Sequence, residues 1–528
     1  MSFNESKEQY AVDVESDKAT LTSSSNKFTA FLSKTKGDLT NYDDTDSVLS
    51  AKINLINDAI DEIGFTPYHW KLFFLNGMGY SVDSQLTYIQ SCVAQFVRYQ
   101  YKQHYPADSH AIYAGLLVGA LFWGFGADLM GRKIAFNSSL ILSAIFAILC
   151  GTMGNYGTYC LFVALSAAAS GGNLVLDTTV FLEFLPSSKQ WLVTFMAAWW
   201  SFGIVLAYLS TWLFFSFDKF HCSSMADCPS DSNRGWRYIW FVNGGFVLIV
   251  AILRLTIIKL EETPKFLISS GRDEEAVEVL QRIAAKYNRT CSLTIEDIKE
   301  CGETTYNREY AQNPTVKGSF KMMGKHIKTL FANKTIAKST TLLFVSWTLL
   351  GISYPMYSNF LPQLLQSRGA NTAAPTVAGS YRDSLISATA STGGPILAGL
   401  ALYLCPSLGR RGVMAIGALM TMAFFFGYTA VKTRPQNVAL SSCVFVCINI
   451  YYSCLYAYSP EIMPSSARAT GNAMAVACTR VMACIVPTIA YYANTSSAVP
   501  VWICGACVGV IGLCSIFMPF EPSRQRIA

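Results

Sequence analysis

Three ionisable residues lie deep within apolar stretches of this chain: Asp83, Asp177 and Arg480. Such charges cost about 2.5 to 3.5 kcal/mol at the centre of a membrane-crossing helix and therefore mark functional sites. A buried carboxyl can take up and release a proton, whereas a guanidinium attracts an anion. We interpret Arg480 as a substrate-binding residue and Asp83 and Asp177 as proton-coupling residues. Structural ion pairs between helices are the alternative, which the residues alone leave open.

A second group of candidates consists of polar and aromatic side chains in the same apolar stretches. Amides buried in hydrocarbon need hydrogen-bonding partners, and a polar substrate is one way to satisfy them. For the tyrosines, packing against other helices or against lipid is the alternative. The predicted substrate contacts besides Arg480 are Asn173, Tyr357, Asn359, Gln363, Asn449 and Tyr452.

Composition shows which elements must position these side chains. The chain has 528 residues, of which 52% are hydrophobic and 14% are charged, and this excess of apolar residues excludes a soluble protein. Twelve apolar runs come close to the roughly 20 residues that cross a membrane as a helix. At about 1.5 Å per residue, Asp83 lies some 20 Å into the first run, near the membrane centre. The sequence therefore predicts an all-α membrane protein with twelve transmembrane helices.

Two short motifs recur at one fixed spacing. Gly131-Arg132-Lys133 returns as Gly409-Arg410-Arg411, and Glu183-Phe-Leu-Pro returns as Glu461-Ile-Met-Pro. Both pairs are 278 residues apart, and a shared offset requires that the segment between the motifs kept its length. The chain is therefore predicted to contain two pseudo-symmetric six-helix halves. Parallel repeats with substrate held between them are typical of secondary transporters.

The distribution of apolar and polar residues predicts five regions. These are a disordered cytosolic tail (1–68), an N-terminal half (69–259), a cytosolic helical insert (260–335), a C-terminal half (336–519) and a short cytosolic tail (520–528). Within the insert, one face of an amphipathic helix carries Ala276, Val277, Leu280 and Ile283. We expect this face to lie against the cytosolic ends of both halves.

Basic residues determine the expected orientation. Lysines and arginines are frequent in the insert, whereas the loop from Gly154 to Gly157 has none, so the insert and both termini are predicted to be cytosolic. The net charge of +6 follows from this placement and does not indicate nucleic-acid binding. The first 68 residues show no signal-peptide pattern. We predict a plasma membrane location, with a vacuolar membrane as the alternative.

Cysteine and histidine positions argue against redox or metal chemistry. Most of the sixteen cysteines lie in apolar runs, where cysteine behaves as a small hydrophobic residue. Cys222 and Cys228 have the spacing for a disulfide in a predicted outside loop, and whether they pair is left open. The five histidines lie near or outside the predicted membrane ends, and the sequence has no Walker loop. We expect no cofactor, no metal site and no enzymatic activity.

Several segments resemble the major facilitator superfamily of transporters. Gly124-Phe-Gly-Ala-Asp-Leu-Met-Gly-Arg-Lys133 is similar to the loop signature between its second and third spans. Glu261-Glu-Thr-Pro-Lys-Phe-Leu267 resembles the segment after span six of sugar-porter-like members, and Ser459-Pro-Glu-Ile-Met-Pro464 resembles their span-ten end. Gly171-Gly-Asn-Leu-Val-Leu-Asp177 is more similar to the synaptic-vesicle-protein-like and organic-ion branch. The resemblance covers both halves and implies the major facilitator fold.

The resemblance also implies a network of charges at the cytosolic ends that stabilises one conformational state. The implied gating residues are Asp128, Arg132, Glu183, Arg410, Glu461 and Arg468. Two positions depart from the family pattern. Val163 stands where an arginine is usual in span four, and Pro406 stands where the first copy of the loop motif has its aspartate. We therefore expect the charge networks of the two halves to differ.

The leading hypothesis is a secondary active transporter that moves a small polar organic solute by alternating access, with proton symport of a carboxylate or other organic anion. A sugar or polyol is an alternative, because a neutral solute needs only the amide and hydroxyl groups. An organic cation would instead pair with Asp83 and Asp177. A non-transporting receptor that keeps the transporter fold is a further alternative. The expected partners are the solute, protons and the lipid bilayer, and the expected state is a monomer.

Overall fold

The computed structural model describes residues 47–226, 228–258, 260–302, 324, 327–367, 376–463, 467–492 and 499–521. Within these ranges, ten helical segments are long and apolar enough to cross a membrane. Two further long helices, Pro67–Tyr101 and Gly409–Gly427, bring the number of spans to twelve. They were not among the ten because ionisable residues such as Asp83 and Arg410 lower their hydropathy, but both pack against the other helices of the bundle. The protein is therefore an all-α membrane protein with twelve transmembrane helices, as predicted.

We number these helices as spans 1 to 12 in chain order. Spans 4, 5 and 8 each consist of two consecutive helices. The bounds are Pro67–Tyr101, Ala107–Met130, Arg132–Thr152, Tyr156–Ser170 with Asn173–Phe184, Trp191–Met196 with Ala198–Phe215, Gly235–Leu253, Lys334–Ser367, Val377–Ser391 with Gly393–Leu404, Gly409–Gly427, Arg434–Glu461, Arg468–Tyr492 and Val499–Phe517.

The packing of the spans repeats between the halves. In the first half, span 1 packs on span 5, span 2 on span 4 and span 3 on span 6. In the second half, span 7 packs on span 11, span 8 on span 10 and span 9 on span 12, which is the same arrangement shifted by six spans. The halves meet where span 2 contacts span 11 and span 5 contacts span 8. These contacts confirm the pseudo-symmetry indicated by the repeated motifs.

Span 4 is interrupted at two glycines where it crosses span 2. A Cβ on Gly172 would lie 2.3 Å from the side chain of Trp123, and a Cβ on Gly171 would lie 2.7 Å from the carbonyl oxygen of Leu116. Contacts this short leave room only for glycine. The close approach fixes the position of the second helix of span 4, which carries three of the predicted site residues, Asn173, Asp177 and Glu183.

The N-terminal tail is not disordered throughout. Ser47–Ile63 forms a helix, so this part of the tail prediction is wrong, while residues 1–46 lie outside the described residues. Ile53, Ile56 and Ile60 are buried on one face of this helix. Their spacing of three and four residues is an amphipathic signal, which is easily missed because the surrounding tail is strongly polar.

Polar contacts fasten this N-terminal helix to two other parts of the molecule. Lys52 Nζ lies 2.5 Å from a carboxylate oxygen of Asp273 in the insert. The Asp61 carboxylate accepts hydrogen bonds from the amide and the hydroxyl of Ser187 at 2.7 and 2.6 Å, just after span 4. The N-terminal helix therefore joins the insert to the end of the first half.

In the part of the insert that the structure describes, three short helices precede residue 303: Pro264–Ser269, Asp273–Lys286 and Ile295–Glu300. All four side chains of its predicted apolar face are buried: Ala276, Val277, Leu280 and Ile283. They share one hydrophobic cluster with the N-terminal helix and with nearby residues of the spans. We call this end of the bundle the insert end. The opposite end, where Cys222 and Cys228 form a disulfide between spans 5 and 6, is the disulfide end.

Candidate functional site

An ion pair joins the two halves at the centre of the bundle. Arg480 Nη2, in span 11, donates a hydrogen bond to Asp83 Oδ2, in span 1, at 2.7 Å. Both residues are buried, with exposed fractions of 7% and 0%. The other carboxylate oxygen of Asp83 has no hydrogen-bonding partner among the described residues. The structure thus brings the predicted anion-binding residue against one of the two predicted proton-coupling residues.

Arg480 also lines a central cavity of about 340 Å³ between the halves. Spans 1, 2, 5, 7, 10 and 11 contribute to its wall. The aromatic residues of the wall are Tyr88, Tyr113, Trp200, Tyr208, Trp347, Tyr354, Tyr452 and Tyr456. A cavity of this size and composition suits a small organic molecule.

The serine and threonine hydroxyls of the wall and its one amide group bond to backbone carbonyls. Thr87 and Ser91 each donate to a carbonyl of span 1, at 2.7 and 3.1 Å. Thr479 donates to the carbonyl of Trp347 at 2.7 Å, and the Asn449 amide nitrogen donates to a carbonyl of span 10 at 2.7 Å. Among the lining residues in the described part of the chain, Arg480 alone is charged. The cavity therefore presents aromatic rings, tyrosine hydroxyls and one guanidinium.

The other predicted substrate contacts divide into three groups. Asn449 and Tyr452 line the cavity, beside Arg480. The side chains of Asn359 and Gln363 lie outside the described residues. The remaining two lie elsewhere in the bundle, so only part of the predicted set meets at one place.

Tyr357 and Asn173 lie outside the lining of this cavity, and their role as substrate contacts stays a prediction. The hydroxyl of Tyr357 donates to that of Tyr428 at 2.9 Å, because this part of span 7 packs against the end of span 9. The side-chain oxygen of Asn173 accepts a hydrogen bond from the Ser139 hydroxyl at 2.6 Å. Asn173 thus links spans 3 and 4 inside the first half through its side-chain oxygen, while its side-chain nitrogen has no hydrogen-bonding partner among the described residues.

Asp177, the other predicted proton-coupling residue, pairs with an arginine that was not among the predicted site residues. Arg254 Nη2 donates to Asp177 Oδ1 at 3.0 Å, and both residues are buried. The same guanidinium donates to the carbonyl oxygens of Leu75 and Phe136 at 3.2 and 3.0 Å. Arg254 follows the last turn of span 6, where a basic residue is expected at a membrane surface, so its burial could not be read from its position.

The charges predicted to form a gate meet at the insert end. Arg132 Nη1 lies 2.5 Å from Glu183 Oε2 within the first half. Arg468 Nη1, from the second half, lies 3.5 Å from the other carboxylate oxygen of Glu183. One buried carboxylate therefore holds one arginine from each half. The side chain of Asp128 lies outside the described residues.

The second half repeats part of this arrangement. Arg410 Nη2 lies 2.5 Å from Glu461 Oε1, which matches the Arg132 pair at the repeat offset. Arg410 also crosses to the first half, where it donates to the Thr194 hydroxyl at 2.5 Å and to the Gln190 carbonyl at 3.1 Å. The two halves therefore use different cross-contacts to close the insert end.

A family model described as "Sugar (and other) transporter" matches residues 72–521, which include both halves and the insert. The chain belongs to this family. It is a membrane transporter of the major facilitator type, and the members of this fold family are not enzymes. The resemblance inferred from the loop motifs is thereby confirmed.

Three similar proteins illustrate the range of the family. A protein of Ceriporiopsis subvermispora named MFS siderochrome iron transporter 1 is 37% identical, over 92% of this chain and 93% of that protein. The niacin transporter NiaP of Acinetobacter baylyi is more distant, 25% identical over 81% of this chain and 88% of its own. The solved structure of the proton:xylose symporter XylE, bound to a bromo-deoxyglucose, aligns with a TM-score of 0.63 at 16% identity, over 86% of this chain and 96% of XylE. That structure supports the fold alone.

Contacts between the halves also close the disulfide end. The hydroxyl of Tyr381, in span 8, donates to the carbonyl of Cys92, in span 1, at 2.8 Å. A ring nitrogen of His110, in span 2, lies 2.8 Å from the Thr488 hydroxyl of span 11. Because the halves touch at both ends, the central cavity is enclosed between two sets of contacts.

Lys265 lies in the insert beside the gate. Its side chain is buried, and burial lowers the pKa of Lys265 to about 7, an effect that the nearby cations Arg468 and Arg132 strengthen. Glu183 and Asp61 act in the opposite direction. Burial therefore disfavours the charged form of Lys265 at the insert end.

Proposed function

We propose that this transporter moves a small aromatic carboxylate across the membrane together with a proton. The ion pair between Arg480 and Asp83 carries the proposal, because it places an anion-binding group and a proton acceptor at one cavity between the halves. Each half contributes one member of the pair, so breaking the pair removes a contact between the two halves. Alternating access requires such a connection between the occupied site and the gates.

Charge balance gives the coupling mechanism. In the empty site, Asp83 neutralises Arg480. A substrate carboxylate that binds Arg480 displaces Asp83, and this would leave an uncompensated anion in a buried site at a large energetic cost. Protonation of Asp83 removes that charge. The substrate and the proton therefore bind together, and the pair crosses the membrane with no net charge change at the site.

The aromatic wall favours a flat ring on the substrate. Ring faces of tyrosine and tryptophan stack with aromatic rings, and each such contact contributes about 0.5–1.5 kcal/mol beyond area burial. A sugar would need several hydrogen-bond donors, and because Thr87, Ser91 and Thr479 already donate to carbonyls, tyrosine hydroxyls and Arg480 are the donors that remain in the wall. An organic cation would be repelled by the positive charge of Arg480. Niacin, the compound in the name of the Acinetobacter relative, is an aromatic carboxylate.

The second candidate substrate is siderochrome iron, which appears in the name of the Ceriporiopsis relative. This candidate is supported by the sequence identity of that relative, which is higher than that of the Acinetobacter relative. A cavity of about 340 Å³ between closed ends favours a smaller solute than an iron chelate. An iron-loaded hydroxamate therefore belongs in the same transport experiment as a competing substrate class.

We place the insert end in the cytosol and the disulfide end outside, in the plasma membrane. Basic residues of the insert support this orientation. The disulfide between Cys222 and Cys228 supports it as well, because disulfides persist on the oxidising side of a membrane. A solute would then enter from outside when the contacts of Tyr381 and His110 open, and leave when the charged gate opens.

The test is uptake into liposomes that contain the purified protein, with an inward proton gradient. The labelled solutes are nicotinate, benzoate, hexanoate, glucose, choline and an iron-loaded hydroxamate. We expect nicotinate and benzoate to accumulate, and accumulation to stop when the gradient is collapsed. Arg480→Gln should abolish it.

The matched control is Arg434→Gln. Arg434 pairs with Asp383 at 2.6 Å near the disulfide end of the second half and does not line the cavity. Its replacement should preserve carboxylate uptake. Uptake of glucose or of the iron chelate in place of carboxylates would contradict the proposal, and so would undiminished benzoate uptake by Arg480→Gln. A folded, membrane-inserted protein that moves none of these solutes would favour a receptor.

A further inference from the structure

The Arg480–Asp83 pair has hydrogen-bonding capacity that the protein itself does not use. Asp83 Oδ2 accepts a hydrogen bond from Arg480 Nη2 at 2.7 Å. Asp83 Oδ1 has no hydrogen-bonding partner among the described residues, although the residue is fully buried. A buried acceptor without a donor is unfavourable, so this oxygen needs an explanation. A donor that arrives with the substrate would satisfy it.

Asp83 lies directly behind the wall of the central cavity. Two of the residues bonded to it line the cavity. Arg480 bonds its carboxylate, and the hydroxyl of Thr87, one turn further along span 1, donates to its backbone carbonyl at 2.7 Å. A substrate that draws the Arg480 guanidinium into the cavity therefore uncovers the Asp83 carboxylate.

The charges that a substrate can meet at this place are one cation and one anion. Among the lining residues in the described part of the chain, Arg480 alone is charged. Asp177, the other buried carboxylate of the predicted coupling set, is held by Arg254 at 3.0 Å inside the first half. The described site therefore offers a guanidinium and, behind it, the Asp83 carboxylate, which together are complementary to a molecule that carries one charge of each sign.

We propose that the site also accepts an aromatic α-amino acid, whose carboxylate binds Arg480 and whose ammonium group binds Asp83. The inference rests on the anion-binding role of Arg480 in the proposed function. The two charged groups of an α-amino acid are attached to one carbon, so they lie close together, as the members of the ion pair do. The ammonium group has three N–H donors, and one of them meets the unpaired Oδ1 of Asp83.

A zwitterion removes the need for a proton. A monocarboxylate on Arg480 leaves Asp83 without a counter-charge, and a proton must neutralise it. The ammonium group of an amino acid supplies that counter-charge, so Asp83 stays ionised. Four charges then alternate in sign: the guanidinium, the substrate carboxylate, the ammonium group and the Asp83 carboxylate. Because their sum is zero, the same transporter carries anions with a proton and zwitterions without one.

Aromatic rings of both halves are available for the side chain of the amino acid. The ring of Tyr456, in span 10, contacts those of Trp200 and Trp347, with centroids 6.0 and 4.8 Å apart. The ring of Tyr452 stacks on Tyr456 at 5.8 Å, and all four residues line the cavity. A further ring can join such a cluster by edge-to-face or offset contacts. The wall therefore favours an aromatic amino acid over an aliphatic one.

The test uses three molecules with one skeleton. L-Phenylalanine has both charged groups, 3-phenylpropanoate lacks the ammonium group, and 2-phenylethylamine lacks the carboxylate. Quenching of the fluorescence of Trp200 and Trp347 reports binding to the purified protein, and a pH indicator follows the proton balance. We expect phenylalanine to bind without proton uptake and 3-phenylpropanoate to bind with uptake of about one proton. The amine should not bind, because Arg480 repels it.

Transport provides a second measurement on the wild-type protein. The same labelled acids are offered to liposomes that contain the purified transporter, with and without an inward proton gradient. We expect the gradient to drive accumulation of 3-phenylpropanoate. The initial rate of phenylalanine uptake should be the same in both conditions, since no proton accompanies the zwitterion.

Asp83→Asn tests the contact with the ammonium group. Truncation of one partner of a buried charge pair weakens binding by about 30-fold or more. We therefore expect the affinity for phenylalanine to fall by about 30-fold or more relative to the affinity for 3-phenylpropanoate. Asp383→Asn is the matched control, because Asp383 pairs with Arg434 at 2.6 Å and does not line the cavity. The ratio of the two affinities should be unchanged in this control.

The outcomes separate this inference from the proposed function. Gradient-driven uptake of 3-phenylpropanoate without binding of phenylalanine would overturn the zwitterion site and leave proton-coupled carboxylate transport intact. Proton uptake on phenylalanine binding would overturn it as well, because a proton would then neutralise Asp83. Equal losses of affinity for both acids in Asp83→Asn would show that Asp83 does not contact the ammonium group. Wild-type protein that neither binds nor transports either acid would overturn the proposed function and this inference together.

Discussion

Arg480 and Asp83 belong to different halves of the bundle, and a 2.7 Å hydrogen bond between them joins the halves beside the central cavity. Because the two side chains are paired, any other ligand of Arg480 must compete with Asp83, and any other ligand of Asp83 must compete with Arg480. In the proposed mechanism, a substrate anion competes with Asp83 for the guanidinium, and a proton competes with Arg480 for the carboxylate. In that mechanism this one contact therefore links substrate binding, protonation and the relative position of the halves.

Replacement of Arg480 by lysine should lower carboxylate affinity although the positive charge is kept. A guanidinium can bind a carboxylate through two parallel hydrogen bonds, whereas an ammonium acts as a point charge. We expect benzoate affinity to fall by about tenfold, which corresponds to 1.4 kcal/mol. Quenching of protein tryptophan fluorescence can report binding, because Trp200 and Trp347 line the cavity. Arg434→Lys is the control, and wild-type affinity in Arg480→Lys would contradict the predicted geometry.

The aromatic wall predicts a difference between aromatic and aliphatic acids. Trp200→Leu removes a stacking surface but keeps an apolar side chain. We expect benzoate affinity to fall by about two- to tenfold, the equivalent of 0.5–1.5 kcal/mol, with little change for hexanoate. Trp502→Leu is the control, because Trp502 is 48% exposed on the outside of the bundle. An equal loss for both acids would show that Trp200 only shapes the cavity.

Glu183→Gln should weaken the closed gate more than Glu461→Gln does. Glu183 holds arginines of both halves, whereas Glu461 pairs with Arg410 inside the second half. Amide hydrogen exchange at the insert ends of spans 4 and 11 reports opening. We expect faster exchange at both places in Glu183→Gln and a smaller change in Glu461→Gln. Equal effects would mean that the cross-half contact of Glu183 does not hold the gate.

Lys265 predicts a pH dependence of stability with a definite sign. Burial lowers its pKa to about 7, against 10.5 for an exposed lysine, so the unfolded chain binds more protons between these values. The contribution of Lys265 to stability is therefore lowest below pH 7 and rises with pH through this window. Lys265→Met should remove that part of the rise in melting temperature between pH 6.5 and 9.

The control for this measurement is Lys286→Met, at an exposed position of the same insert. Its melting temperature should follow the wild-type pH profile. A Lys265→Met profile parallel to that of the wild type would show that Lys265 is charged throughout this range.

The N-terminal helix should contribute measurably to stability. Ile56 is fully buried, and replacement of a buried isoleucine by alanine typically costs about 2–5 kcal/mol. Ile56→Ala should therefore lower the melting temperature, whereas Asp58→Ala, at an exposed position of the same helix, should change stability by about 0.5 kcal/mol or less. An unchanged melting temperature for Ile56→Ala would mean that the helix is only loosely docked.

The sequence predicted the fold well because the fold depends on repeated, local signals. Apolar runs indicate each span, and the fixed motif offset indicates the two halves. The ion pairs of the insert end could be anticipated for the same reason, since Arg132, Glu183, Arg410 and Glu461 lie in the repeated motifs, and their gating role stays a prediction. Their partners across the halves, such as Thr194, carry no sequence signal and depend on the packing of distant helices.

The candidate site was predicted only in part. Depth in an apolar run found Asp83 and Arg480, but it could not show that they pair, because the pairing joins spans 1 and 11. The sequence did not indicate Arg254 as a site residue, because its burial results from the way spans 1, 3 and 4 pack around it. The contact of Tyr357 with Tyr428 could not be predicted, because helical spacing gives a face and not the neighbour that the face meets.

The most direct test of the central claim is to measure proton uptake when substrate binds. Purified protein in weakly buffered detergent solution is mixed with benzoate, and a pH indicator follows the proton balance. Exchange at the Arg480–Asp83 pair predicts uptake of about one proton per bound benzoate, because displaced Asp83 must be neutralised. Asp83→Asn should bind benzoate without taking up a proton. Benzoate binding by the wild type with no proton uptake would contradict the account.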